Sequence, residues 1–271
     1  MLHKSASLKG YKIHCLDGEV GRVTDFYFDD RFWTIRYLVA ETGGWLARKE
    51  VLISPYALEQ VNQTEQYISV NLTKKQILES PSADSSKPVS RQTEEAYCSY
   101  YGWPEYWNGP HMWGFYPDII RDRRLWKESI PEEKSWDSNL RSTHKISGHQ
   151  VLALDGAVGH VDDFIIDDES WAIRYLLVDT GHELAGRNVL ISPDWIDSVS
   201  WNKVTVLLSI SREAILLAPR YTEKSLLSRD YETALHLHYQ RPDYWQKDEM
   251  SQERPHRHVT QNPRESVQER M

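Results

Sequence analysis

Apolar and polar positions change over along the chain in short runs of strand length, and they do so twice. Residues 20–28 and 158–166 read as strands. Residues 32–40 and 170–178 are rich in aromatic and β-branched types, as strands are. Strict alternation there puts Ile35, Tyr37 and Val39 on one face and Leu38 on the other, with Ile173, Tyr175, Leu177 and Leu176 repeating the arrangement. A strand apolar on both faces has to be covered on both. The same alternation predicts Tyr37 and Tyr175 inside, and Arg36 and Arg174 outside, each pairing with an Asp. Residues 51–53 and 189–191 form another strand, stopped by Ser-Pro, and 67–72 and 204–210 the last.

The punctuation between these runs is tight. Asp17-Gly18 and Asp155-Gly156 are hairpin signals. Gly21 and Gly159 fall inside strands, where glycine marks a bulge or a sharp bend. Asp29-Asp30 and Asp167-Asp168 read as turns, because Asp bonds its own downstream backbone. Short helices are predicted over 73–78 and 211–217, with Thr73 and Ser211 as N-caps. Longer ones follow over 90–101 and 228–239, each leading to Pro-acidic-Tyr-Trp, namely Pro104-Glu105-Tyr106-Trp107 and Pro242-Asp243-Tyr244-Trp245.

Everything in that description occurs in pairs separated by 138 positions. From Gly10/Gly148 to Trp107/Trp245 the offset never changes, and about 37 of the 98 aligned pairs are identical. This is a duplication, at a period suited to a domain and not to a solenoid unit. The predicted fold is mainly β with short helices: two tandem small β-barrels, each folding as its own unit and each followed by a helical arm. The expected boundaries are 8–81 for the first barrel and 82–107 for its arm, then 108–144 for an aromatic linker. The second barrel is expected at 146–219, its arm at 220–245 and a disordered tail at 246–271. The linker carries Trp113, Phe115, Tyr116, Trp126 and Trp136, which suits packing on a barrel, and 118–128 is read as helical. The Pro- and Ser-containing stretch 81–88 is read as flexible.

Composition narrows the function classes. With 32 basic and 40 acidic residues the net charge is −8, split as −3 over 1–138 and −5 over 139–271. Neither half has the clustered Lys and Arg that phosphate contacts need, so no direct nucleic-acid binding is expected. No apolar run approaches bilayer length and the N-terminus lacks an apolar signal core, so neither a membrane span nor a secretory leader is expected. Two cysteines, Cys15 and Cys98, cannot form a disulfide framework and suggest a reducing compartment.

These motifs resemble the PRC-barrel family. The residues that carry the resemblance are Gly10, Asp17, Gly18, Gly21, Asp25, Asp29, the strand around Arg36, Thr42-Gly43-Gly44-Trp45-Leu46 and Val51-Leu52-Ile53-Ser54-Pro55. In the second copy they are Gly148, Asp155, Gly156, Gly159, Asp163, Asp167, the strand around Arg174, Thr180-Gly181 and Val189 to Pro193. The resemblance implies two PRC-type barrels as in two-copy bacterial members, a role in assembly or interaction, and no enzymatic activity. It is similar to the cytoplasmic domain of the photosynthetic reaction centre H subunit, which implies as an alternative an accessory of a membrane electron-transport complex. It also resembles the C-terminal barrel of a ribosome-maturation protein, which implies a ribosome-assembly partner as the second alternative.

The residues themselves offer little chemistry beyond this. The repeated carboxylates Asp17, Asp25, Asp29, Asp30 and Asp155, Asp163, Asp167, Asp168 could serve a metal or acid–base site, but turn chemistry accounts for them and no calcium-loop pattern is present. His236 and His238 are two apart on a predicted helix and point to different faces. Ser54 and Ser192 lack the Gly-x-Ser-x-Gly elbow of a nucleophile. No cofactor and no metal is therefore expected. Aromatic residues are enriched at interface hot spots, so Trp45, Trp103, Trp107 and Trp245 are the candidate contacts for a protein partner. The expected location is cytoplasmic or peripheral to the inner membrane, with the barrels packed about a pseudo-two-fold axis or the chain forming a homo-oligomer.

Overall fold

The computed structural model describes residues 1–43, 48–83, 89–108, 140–181, 186–222 and 228–245. The first copy opens with β1 (Leu2–Lys4) and the single helical turn α1 (Ser5–Leu8). Then come β2 (Lys12–Cys15), β3 (Gly18–Asp29), β4 (Thr34–Thr42), β5 (Lys49–Ile53), β6 (Leu58–Asn62) and β7 (Tyr67–Val70). Helices α2 (Lys74–Glu79) and α3 (Arg91–Tyr101) close it. The second copy repeats the order with β8 (Leu140–Ser142), α4 (Thr143–Ile146), β9 (Gln150–Ala153), β10 (Gly156–Asp167), β11 (Ile173–Asp179), β12 (Asn188–Ile191), β13 (Ile196–Ser200), β14 (Thr205–Leu208), α5 (Arg212–Leu217) and α6 (Arg229–His238).

Each copy forms a barrel-like sheet, in the order β5-β4-β3-β2-β7-β6 and β12-β11-β10-β9-β14-β13. Among the described strands only β2–β7 and β9–β14 pair in parallel. The hairpin turn falls one residue earlier than Asp-Gly suggests. Leu16 and Asp17 form it, and Gly18 opens β3 at φ 120°, where a side chain would be strained. Gly21 is required by contact: a Cβ there would lie 2.2 Å from the Glu41 carbonyl oxygen, and at Gly159 2.0 Å from that of Asp179. A bulge precedes each glycine, with Val20 the extra residue on β3 and Val158 the extra residue on β10.

The predicted face assignment of β4 needs correction. The β3–β4 register shifts between Tyr27 and Phe28, whose partners are Tyr37 and Ile35, so Arg36 is the extra residue of a bulge. Ile35 therefore joins Leu38 and Ala40 in the main core, while Tyr37 and Val39 pack with Leu52 and Tyr97 on the opposite side. Arg36 is not outside but fully buried, at 0% exposure. Arg174, the bulge residue of β11, is likewise not outside, its side chain being 10% exposed.

The copies are also not self-contained. β1 pairs with β10 of the second copy (Leu2↔Asp167, His3↔Ile166, Lys4↔Ile165). β8 pairs with β3 of the first (Leu140↔Asp29, Arg141↔Phe28, Ser142↔Tyr27). The two pairings are related by the same 138-residue offset. The physical reason lies in strand length. β2 covers β3 only from Gly18 to Arg22, leaving the far end of that edge with unpaired backbone groups, and the strand that satisfies them comes from the other copy.

The exchange is sealed by a second contact. Ile35 N donates to Trp171 O at 2.8 Å and Ile173 N to Trp33 O at 2.7 Å. Phe28 meets Phe164 with ring centroids 5.5 Å apart, and Phe26 lies 6.3 Å from Trp171. One continuous apolar core runs through both copies. Among the described residues no helix is long and apolar enough to cross a membrane.

Candidate functional site

The repeated carboxylates have internal work to do. Asp17 Oδ1 accepts from Lys74 N at 2.7 Å and Asp155 Oδ1 from Arg212 N at 2.7 Å, each capping the helix that follows its barrel. Asp25 reaches across to the other copy, accepting from Ser142 Oγ at 2.5 Å, Thr143 Oγ1 at 2.8 Å and His144 N at 3.2 Å. Asp163 does the same for Ser5 Oγ at 2.5 Å and Ala6 N at 3.2 Å. Burial raises the Asp163 carboxyl above its ordinary range, against the opposing hydrogen bonds from Ser5 and the backbone. Asp30 pairs with Arg141 Nε at 2.9 Å, and its counterpart Asp168 bonds His3 Nε2 at 2.7 Å. Asp29 Oδ2 lies 3.2 Å from Arg36 Nη2, and Asp167 Oδ2 lies 3.0 Å from Arg174 Nη2.

From Arg36 a stacked ladder extends into the arm. Its guanidinium carbon lies 4.2 Å from the Tyr106 ring centroid. Tyr106 Oη donates to Glu94 Oε1 at 2.6 Å, Glu94 Oε2 lies 2.9 Å from Arg91 Nη1, and the Arg91 guanidinium lies over Trp107 at 4.0 Å. The second copy repeats each rung. Arg174 lies over Tyr244 at 4.0 Å, Tyr244 Oη donates to Glu232 Oε1 at 2.9 Å, Glu232 pairs with Arg229 at 3.0 Å, and Arg229 lies over Trp245 at 4.3 Å. The Pro-acidic-Tyr-Trp motif is thus the clamp that fixes the arm to the bulged arginine. Alternating cations and aromatic faces attract through the ring quadrupole, more strongly where water is excluded.

Burial has a further effect on Glu94, which is 0% exposed. Loss of hydration pushes its carboxyl up to about 7, although Arg91 and the Tyr106 and Tyr37 hydroxyls favour the charged form. Arg91, Glu94, Arg229 and Glu232 were not singled out as a pairing from sequence. The signal was present, because both pairs are identical across the duplication at a helical i,i+3 spacing.

The four candidate tryptophans have different places. Trp45 lies outside the described residues. Trp103 is buried, stacked on Tyr101 with centroids 4.0 Å apart. Trp107 and Trp245 are half-buried at the ends of the two ladders. Beside Trp245 opens a cleft of about 400 Å³ lined by Asp167, Arg174, Arg229, Glu232 and Tyr244 among others. The predicted linker helix at 118–128, the tail from 246 and most of the 81–88 stretch lie outside the described residues.

The remaining groups are held quietly. His236 Nε2 is 3.0 Å from Tyr175 Oη, and His238 Nε2 is 2.7 Å from Ala214 O. Ser54 and Ser192 cap one-turn 3-10 helices at Pro55–Ala57 and Pro193–Trp195. Burial pushes the Cys15 thiol up to about 11 and that of Cys98 to about 12, so both stay protonated and poor nucleophiles at neutral pH. Among the described residues no group of three His, Cys, Asp or Glu side chains is placed to hold a metal ion.

Residues 3–77 match the family model of the PRC-barrel domain. Over those residues the first copy is similar to the PRC-barrel domain. The second copy repeats the strand order and register of the first at a constant offset, so the chain is a tandem arrangement of two barrel-like sheets. No curated protein matches the chain. The PRC-barrel is generally non-catalytic and is often a protein-interaction module.

Proposed function

We propose that this tandem PRC-barrel protein is a non-enzymatic adaptor that docks a protein partner through the ends of its aromatic arms. The observation that carries the reading is the occupation of all eight repeated carboxylates by caps and ion pairs within the chain. Those groups were the best candidates for acid–base or metal chemistry, and each one is bound to structure. Of the candidate tryptophans among the described residues, Trp107 and Trp245 keep part of their surface accessible at the ends of the ladders, and a cleft with charged side chains in its lining opens beside Trp245. Tryptophan over a guanidinium is a common anchor at interfaces.

The test is in-cell crosslinking in the native host, with soluble and membrane fractions analysed apart. A discrete protein partner is expected, and Trp245→Ala should lose it while the variant keeps its β-rich circular dichroism. Turnover of a substrate by the purified chain, or a partner set unchanged in both Trp107→Ala and Trp245→Ala, defeats the reading. A membrane redox complex among the captured partners would select the electron-transport version of the adaptor, and ribosomal proteins the assembly version.

A further inference from the structure

The two ladders are built alike but are not equally closed. In the first the Arg91 side chain is 12% exposed, and in the second the Arg229 side chain is 57% exposed. The turn before each bulged arginine has also diverged, on a backbone that has not. Trp33 N donates to Asp29 O at 2.8 Å and Trp171 N to Asp167 O at 2.7 Å. Arg31 N donates to Asp29 Oδ1 at 2.8 Å and Glu169 N to Asp167 Oδ1 at 3.2 Å. Trp33 and Trp171 both adopt positive φ, at 52° and 58°. Between these fixed points stands Phe32 in the first copy and Ser170 in the second.

That replacement changes what attends the arginine. The Arg36 guanidinium carbon lies 4.2 Å from the Tyr106 ring centroid and 5.9 Å from that of Phe32, so two rings serve one cation. Ser170 has no ring to offer. Its hydroxyl donates to Asp167 Oδ2 at 2.7 Å and accepts from Arg174 Nη2 at 3.2 Å, while Arg174 keeps the Tyr244 ring at 4.0 Å. The cleft of about 400 Å³ beside Trp245 has Asp167, Glu169, Arg174 and Arg229 in its lining, with Leu2 of the exchanged strand β1. A void of roughly 150 Å³ can take a benzene ring, so this cleft has room for a phenyl group and the peptide that carries it.

Its charges do not suit an anion. Arg174 holds Asp167 and Arg229 holds Glu232, each at 3.0 Å, and Glu169 adds a further carboxylate. A guanidinium paired along its edge still presents flat faces, and those faces attract aromatic rings. Arg36 shows both uses together, with Asp29 at 3.2 Å and the two rings beside it.

We propose that the cleft takes an aromatic side chain, phenylalanine in the simplest case, from the docking segment of the protein partner. That ring does for the second ladder what Phe32 does for the first. The source of the side chain rests on the adaptor reading, and the cleft chemistry names what the docking end selects. Arg174 and Arg229 supply cationic faces and Trp245 an apolar wall. The first ladder carries its own ring and is closed to the same ligand.

The probe is N-acetyl-phenylalaninamide, titrated into the full chain and followed at the indole N–H resonances. A saturable shift at Trp245 is expected, with Trp107 unmoved. N-acetyl-leucinamide has apolar bulk but no ring face and should bind about threefold more weakly. Ser170→Phe supplies the ring from within the chain, so it should abolish the shift at Trp245 and lose the crosslinked partner. Arg229→Gln, at an exposed side chain, should weaken probe binding about threefold and serves as the test if Ser170→Phe fails to fold. No saturable shift at Trp245, equal shifts at Trp107 and Trp245, or a leucine analogue that binds as tightly overturns the proposal. A partner lost in Trp245→Ala with no probe bound would remove this occupant and leave the adaptor reading standing. A bound probe with no partner captured would keep the aromatic site and remove the adaptor.

Discussion

At Gly21 a single methyl group would have nowhere to go. The nearest atom is a backbone oxygen held in a sheet, not the tip of a flexible side chain. Gly21→Ala should therefore cost about 3 kcal/mol or more, as expected when a core has to shift to admit an atom. Gly159→Ala should cost at least as much, since φ is also unfavourable at 155°. Urea unfolding with an unchanged m-value is the measurement. Glu94 gives a different kind of prediction. Its carboxyl titrates at about 7 in the folded chain against 4.5 for an ordinary glutamate. Between those values the folded chain holds a proton that the unfolded chain has released, so stability falls as pH climbs through that window, by about 3 kcal/mol. Glu94→Gln should remove this part of the slope, read as the difference between the two proteins in denaturant titrations at about pH 5 and about pH 8. The repeated aspartates were legible as backbone-bonding residues because that habit is local. That Asp25 would serve Ser142 and Thr143 was not, since nothing in a residue's own neighbourhood names a partner more than a hundred positions away.

Strands and caps were the most readable elements. Thr73, Ser90, Ser211 and Ser228 each accept a backbone N–H at the start of a helix. Thr73 forms a full capping box with Gln76. Alternation misled only where a bulge intervened. Arg36 looks outward in a regular strand, and one extra residue turns it onto Asp29 and Tyr106. Tight turns carry their own strain. Gln66 and Val204 occupy equivalent positions before β7 and β14 at φ 54° and 56°, and the Val204 side chain is exposed. A β-branched residue is poorly suited to that region, whereas Asn tolerates it. Val204→Asn should raise stability by about 1 kcal/mol. An unchanged or lower thermal midpoint would contradict the strain argument.

For the molecule as a whole, the duplication was plain in the sequence, and the barrel class followed from strand spacing. The reciprocal exchange was not legible, because the segments preceding the obvious repeat, Leu2–Leu8 and Leu140–Ile146, share little identity and pair outside their own copy. One expected result follows from it. Polypeptides ending at Asn108 and beginning at Leu140 should each be poorly folded alone and should assemble into a one-to-one complex when co-expressed. Two independently folded, non-associating halves would contradict the shared core.

The exchange also has an evolutionary consequence. If two identical chains traded these strands, every substitution would appear at both seams at once, and a change useful at one would be imposed on the other. Joining the copies in one chain removes that constraint. The seam where β8 meets β3 can keep the ring of Phe32 while the one where β1 meets β10, with Ser170 in its place, opens into a cleft. Gene duplication here relaxes a symmetry, and the divergent seam is where new selectivity has room to arise.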